Sequence, residues 1–439
     1  MRPPGLLRRW PPTAWPMPEV SRSVDRDATG LDGWRGLPRA QRPPWPDEAK
    51  LADVMRLLGT LPPLVTPAEV DELRDRLAAA AEGRAFLLQA GDPVESFAGN
   101  TEARLVANAA TLAQMALVLA YGGSMPVVSV ARAAGAYARP ATTPTDHTGL
   151  PSWWGDLVND RAPAAAARVP DPQRLILAYA NAAGAMNVLR AHLAGDLADI
   201  QSVHRWQQGL LDGADPDTPH LDAAREIGRG MAFLRACGVP DAAARPHARL
   251  YSSHDALVLE YERPLVRAAR GGRYGLSGHL LGLSEQVGRL DGAHVDLLAR
   301  IANPVTVTVA PDTPPESTVE LCERLNPDNV AGRLTLTCRL GPGRVEETLP
   351  PIVEKVTAAG HRVLWQCDPM AADPATPFAR ILDGVRRYFA VHRALGTHPG
   401  GLRVALDGDR PGMPAGGGRG LGRDRALDLA YLVAELLNG

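Results

Sequence analysis

Lysine is almost missing from this sequence. Of its 47 basic residues only Lys50 and Lys355 are lysines, so chemistry that needs one, such as a Schiff base with a carbonyl, has two residues to draw on. Arginine takes its place alongside abundant Ala, Gly and Pro, a bias that speaks of a GC-rich genome and not of a mechanism. Cysteine is scarce: Cys237, Cys322, Cys338 and Cys367 are the only four, and none stand at C-x-x-C spacing. That excludes a disulfide-built scaffold and predicts an intracellular protein with free thiols. The net charge of −2 provides no electrostatic footprint for nucleic acid or a membrane surface. No apolar run approaches the ~20 residues of a membrane span. The first twenty residues carry positive charge without an apolar stretch of signal-peptide length. Together these absences predict a cytoplasmic protein.

Hydrophobic residues make up 45% of 439, enough for a large core. Residues 1–45, rich in Pro, Trp and Arg, predict an extended arm pinned to the body or to a second subunit by Trp10, Trp15, Trp34 and Trp45. Residues 46–439 predict one domain. Its most informative stretch is Arg84–Thr101, RAFLLQAGDPVESFAGNT. A short apolar run ends there in a polar turn and is followed by a long helical pattern, Glu102 to Tyr121. A strand whose polar lip precedes a helix is the active-site unit of a (β/α)-barrel.

Seven further runs repeat the pattern: Val127–Ala131, Arg249–Ser253, His279–Leu283, Val305–Ala310, Leu334–Arg339, Val363–Asp368 and Leu402–Leu406. Helical patterns separate most of them, including Glu316–Leu325, Ile352–Ala359 and Pro377–His392. Eight strands alternating with helices predict an α/β fold, a closed (β/α)8 barrel. Two helices precede it, Asp47–Leu58 and Pro67–Ala81, the second with Thr66 as N-cap and Pro67 in its first turn. From about 150 to 247 no strand pattern appears, and helices at Pro172–Leu193 and Thr218–Cys237 predict a helical insertion. Ala426–Leu437 is an amphipathic closing helix.

The segments FLLQAGDPVESF, YGGSMPVVSVAR, GAYARP, YSSHDALVLEYER, LDGAHV, IANPV, GRLTLTCRLG, LPPIVEKV, LWQCDPM and HRALGTHPGG resemble, in order and spacing, the class II (plant-type) 3-deoxy-D-arabino-heptulosonate 7-phosphate (DAHP) synthases. The resemblance runs from about Arg42 to the C-terminus. It implies a barrel that joins phosphoenolpyruvate to erythrose 4-phosphate with the help of a divalent metal ion. The family's metal ligands fall at Pro93, Ala371 and Ala405, and a fourth falls in a shortened stretch between Gly416 and Arg423, where Asp424 is the nearest carboxylate. Neither proline nor alanine has a side-chain donor, so no metal and no other cofactor is expected.

The phosphoenolpyruvate positions implied by the resemblance are Arg132, Arg339 and Glu285, with Thr308 in place of a lysine and Gln286 in place of an arginine. In the second phosphate region Arg139 and Thr142 correspond to a lysine and a serine, and Ala141 to an arginine. Glu285 can orient an arginine or act as a general base. His254, His279, His294 and His398 are alternative proton carriers, though each is more economically a core or turn histidine. Asp92, Glu95, Cys338, Cys367, Asp368 and Asp407 stand near strand ends, where a metal site could be rebuilt, but Cys338 should face away from Arg339 in an extended strand. Trp153, Trp154 and Trp206 fit insertion packing better than recognition.

Three functional readings follow. The leading one is a repurposed barrel enzyme that performs metal-independent proton-transfer, cyclisation or lyase chemistry on a partly anionic small molecule in a specialised pathway. A second is a DAHP synthase with an atypical site. A third is a non-catalytic homologue that binds an active paralogue or a chorismate mutase. A homo-oligomer is expected in each.

Overall fold

The computed structural model describes residues 32–194, 221–237, 249–341, 343–370, 376–407 and 420–438. Ten strands are seen: β1 (Phe86–Gly91), β2 (Val127–Arg132), β3 (Tyr251–Asp255), β4 (Val266–Ala269), β5 (Gly272–Gly275), β6 (Leu280–Leu283), β7 (Val305–Val309), β8 (Leu334–Cys338), β9 (Leu364–Cys367) and β10 (Gly401–Ala405). Eight of them close a barrel in the order β1-β10-β9-β8-β7-β6-β3-β2, and each neighbouring pair is parallel. These eight are the runs expected from sequence, displaced by a residue or two at their ends.

The α-helices of seven or more residues are α1 (Glu48–Thr60), α2 (Pro67–Ala81), α3 (Glu102–Gly123), α4 (Gln173–Leu193), α5 (Leu221–Ala236), α6 (Ala293–Ala299), α7 (Pro315–Leu325), α8 (Val345–Ala358), α9 (Phe378–Ala394) and α10 (Arg423–Asn438). One helix and one hairpin depart from the expected elements. Helix α8 begins seven residues before Ile352, because Pro350 and Pro351 lie inside it, where proline ordinarily breaks a helix. The β4–β5 hairpin was not foreseen. Its turn residues Arg270 and Gly271 both have positive φ, the signature of a tight type I′ connection.

Helix α2 closes the bottom of the barrel. Thr66 and Glu69 form a reciprocal capping box at its start, satisfying backbone donors that the first turn leaves open. Leu73, Leu77 and Ala80 then pack with Leu87, Val128, Val130, Leu280 and Leu364. Truncating one such leucine to alanine costs about 2–5 kcal/mol. With the lower end filled by apolar side chains, the opposite rim is left to carry polar chemistry.

Helix α3 is long and apolar enough, by composition, to cross a membrane, contrary to the expectation of no such segment. Here it serves as a barrel helix, packed against β1, β2 and α10. A side chain at Gly122 would collide with Ala434 of α10, so the two backbones approach closely where glycine permits it. Trp34 and Trp45 are buried in the main core; Trp10, Trp15 and Trp206 lie outside the described residues.

Candidate active site

Side chains alternate between the faces of a strand, and on β7 to β10 the outward set is apolar. Val305, Val307 and Val309 of β7, Leu402 and Val404 of β10, and Cys338 and Cys367 all belong to the main core. The inward set therefore includes Thr306 and Thr308 of β7, Thr337 of β8, Gln366 of β9 and Arg403 of β10. Halfway up the lumen these polar groups bond to one another. Thr306 and Thr337 hydroxyls are 2.6 Å apart, Thr337 donates to Gln366 Oε1 at 2.7 Å, and Gln89 donates to Ser253 Oγ at 2.9 Å.

Above this layer the last inward position of several strands is charged. Arg132 ends β2 and Asp255 ends β3, while Arg339 and Asp368 directly follow β8 and β9. Arg132 donates from Nη2 to Asp255 Oδ2 at 3.3 Å and to the Pro93 carbonyl at 3.1 Å, and from Nε to the Asp92 carbonyl at 3.3 Å. Arg339 donates from Nε and Nη2 to Asp368 Oδ2 at 2.9 and 2.8 Å. Arg403 joins the two pairs, with Nη2 3.6 Å from Asp255 Oδ2 and Nε 3.8 Å from Asp368 Oδ2. Three guanidiniums thus face two carboxylates.

Burial shapes the protonation of this group. On its own it would raise the pKa of Asp255, but Arg132, Arg403 and Arg339 outweigh it and hold the carboxyl well below the usual range. Burial, with Arg132 adding repulsion, pushes Arg403 down to about 10. Arg339 moves the other way, above the ordinary arginine value, because Asp368 attracts it more than burial penalises it; Asp255 and Glu285 add smaller pulls.

The other expected residues fall around this centre. Glu285 is exposed at the rim and accepts from Gln286 Nε2 at 2.6 Å. Thr308 is buried in the lumen wall. Arg139 is half-buried, its guanidinium 5.8 Å from the Trp153 ring, and Thr142 is exposed three residues further on. The loop that bears Arg139 is anchored by Glu95, whose carboxylate accepts from the backbone N–H groups of Ala134, Gly135 and Ala136. Burial raises the Glu95 pKa in spite of those donors.

None of the four candidate histidines joins the charged cluster. His254 Nε2 is 2.9 Å from Glu262 Oε1, His279 Nδ1 accepts from the Ser252 N–H at 2.9 Å, and His294 Nε2 donates to the Leu257 carbonyl at 3.0 Å. His398 precedes β10, at the opposite end of the barrel from the rim. The lysines are equally remote: Lys50 pairs with Asp171 at 2.8 Å and Lys355 of α8 with Glu316.

A family profile, the Class-II DAHP synthetase family, matches residues 29–433. The chain belongs to that family. It is 43% identical to the phospho-2-dehydro-3-deoxyheptonate aldolase AroG of Mycolicibacterium smegmatis, over 96% of this chain and 97% of the relative. It is 40% identical to the phospho-2-dehydro-3-deoxyheptonate aldolase of Streptomyces coelicolor, over 92% and 96%. A solved phospho-2-dehydro-3-deoxyheptonate aldolase from Francisella tularensis, 11% identical, covers 88% of this chain and 96% of its own at a TM-score of 0.47, a likeness too distant to bear on the site.

The family implies a divalent ion, and the donor set described here does not fit one. No group of three His, Cys, Asp or Glu side chains among the described residues is gathered to hold a metal. At the expected ligand positions Pro93 offers only a carbonyl, already engaged by Arg132, and Ala405 offers a methyl group; Ala371 lies outside the described residues. Three of the alternative carboxylates are committed elsewhere. Asp92 pairs with Arg104, Glu95 with three backbone amides and Asp368 with Arg339, and Asp424 is exposed beside Arg423. Cys338 and Cys367 face outward with Leu340, Val345 and Tyr388, and burial raises both thiols.

Sequence reasoning missed Asp255 and Arg403. The signal for Asp255 was its place two residues after Ser253, on the same lumen face. For Arg403 it was a lone cation inside the five-residue strand GLRVA, which is buried on both faces and can satisfy a charge only in the lumen.

Proposed function

We propose that this chain catalyses the reaction its family implies, the joining of phosphoenolpyruvate to erythrose 4-phosphate, at an atypical site built on arginine. One observation carries the reading: Arg132 and Arg339 stand at the barrel's rim, each held by a carboxylate partner, Asp255 and Asp368. Donors fixed before substrate arrives lose little freedom on binding, and planar guanidiniums match carboxylate and phosphate groups. The names of the two relatives support the same reading.

In the condensation the enol carbon of phosphoenolpyruvate bonds to the aldehyde carbon, water adds at the phosphate-bearing carbon, and phosphate leaves. Negative charge grows on the former aldehyde oxygen, so a fixed positive charge nearby lowers the barrier. Arg132 and Arg339 take the carboxylate and phosphate of the enol substrate. Arg139, lying against Trp153, takes the distant phosphate of the sugar. Glu285, close enough to Arg339 to raise its pKa, orients that guanidinium rather than serving as a base.

A second reading, a repurposed barrel acting on a different anionic substrate, is favoured by the donor-poor positions Pro93 and Ala405. Incubating the full chain with both substrates, in EDTA and then with Mn²⁺ or Co²⁺, separates the two. Loss of enol absorbance with release of inorganic phosphate supports condensation. Binding of phosphoenolpyruvate without turnover supports repurposing, and no binding of phosphoenolpyruvate at all sinks the condensation.

A further inference from the structure

Arg403 has no role in the expectations drawn from the family, yet it lies at the centre of the charged cluster. Its strand is held by β1 through pairing from Leu87↔Gly401 to Gly91↔Ala405, with Leu402 and Val404 buried on the outer side. The guanidinium therefore cannot turn away from the lumen. It crosses toward β3 and reaches Asp255 Oδ2 at 3.6 Å and Asp368 Oδ2 at 3.8 Å. Both contacts are long, and each carboxylate already has a closer arginine.

Two donors in this cluster are left over. Nη1 of Arg403 and Nη1 of Arg132 are buried and, among the described residues, have no hydrogen-bond partner; both residues are 5% exposed. Asp255 Oδ1, buried and unbonded among the described residues, lies against Gly282. A buried cation that lacks partners is costly unless an anion arrives to accept from it.

We infer that Arg403 is a further substrate-binding residue, which with Arg132 grips the carboxylate or phosphate of the enol substrate where the family would seat a metal ion, so that this chain binds its anion through guanidiniums alone. The disagreement between the family's metal and this donor set is then a replacement. The mobile, exchangeable cation has given way to one carried by the last barrel strand, two residues before Ala405. Guanidinium suits the position because it stays charged even where burial lowers its pKa.

The inference rests on the reading of this rim as a phosphoenolpyruvate site, and calorimetric titration of the full chain tests the two separately. Wild type, Arg403→Met and Arg403→Lys are each titrated with phosphoenolpyruvate in EDTA, and wild type is also titrated with Mn²⁺ alone and with phosphoenolpyruvate in the presence of Mn²⁺. We expect wild type to bind in EDTA, Arg403→Met to bind at least ~30-fold more weakly, and Mn²⁺ to give no saturable heat. Arg403→Lys keeps the charge but loses the fork, so a weakening of about 10-fold is expected; it serves as the comparison if the methionine variant does not fold. Equal affinity of wild type and the variants overturns the role of Arg403 and leaves the substrate reading intact. Binding only in the presence of Mn²⁺ overturns the replacement. If phosphoenolpyruvate does not bind with or without Mn²⁺, the substrate reading fails and the inference falls with it.

Discussion

Replacing Asp255 by asparagine removes one of the two carboxylates that hold three guanidiniums together beneath the rim. The magnitude follows from the geometry. At 3.3 Å from Arg132 and 3.6 Å from Arg403, each contact supplies about 5 kcal/mol of gross attraction at an effective dielectric near 20. Most of that offsets the withdrawal of the charges from water. Removing one partner still leaves buried cations facing each other, at a cost of about 3–5 kcal/mol. The asparagine oxygen can accept from Arg132, so the lower end, about 3 kcal/mol, is expected near neutral pH.

The pH dependence has a definite sign. The Asp255 pKa is depressed in the folded chain, so its stabilisation is fully present above the unfolded carboxyl value, about 4. It is lost as the pH falls through the depressed folded value. Denaturant unfolding of wild type and Asp255→Asn should show a constant gap between about pH 5 and 8 that narrows only below about pH 4. A gap under about 1 kcal/mol at neutral pH would refute the view that Asp255 holds the cluster together.

The buried pair His254–Glu262, with Ser277 donating to the same carboxylate at 2.5 Å, should behave oppositely. Burial would lower the His254 pKa, but Glu262 raises it further. Its contribution is therefore complete below about pH 6.5 and lost as the pH rises through the raised value; thermal melts of His254→Gln should lack that alkaline decline. Gly282→Ala places a methyl group against Asp255 Oδ1, and should weaken phosphoenolpyruvate binding while costing about 1–3 kcal/mol of stability, read by calorimetry and unfolding side by side. Glu95→Ala strips the acceptor from three backbone amides of the Arg139 loop. It should raise the KM for the sugar phosphate more than that for phosphoenolpyruvate in steady-state assays, since Arg132 is also held by Asp255.

The barrel strands could be read from the chain because each is a short apolar run bounded by polar or glycine residues, and in a closed barrel both faces of a strand are buried. Helix α2 was legible to the residue because Thr66, Pro67 and Glu69 state its start in local chemistry. Helix α8 was not, since local rules read Pro350 and Pro351 as a stop; packing of Val345, Leu349, Ile352 and Val353 into the core overrides them. The β4–β5 hairpin was passed over because its strands are only four residues each, below the length at which alternation stands out.

For the site, the amino-acid sequence by itself determined the family resemblance, the donors missing at Pro93 and Ala405, and the arginines Arg132 and Arg339, since these are statements about which residue stands where. It left open which charges meet. Arg403 lies more than a hundred residues from Asp255 in the chain, and barrel closure of β10 onto β1 brings them together across the lumen. Only the tertiary structure decided that contact, because the distance between charges on different strands is set by the register and closure of the sheet and by nothing local to either strand.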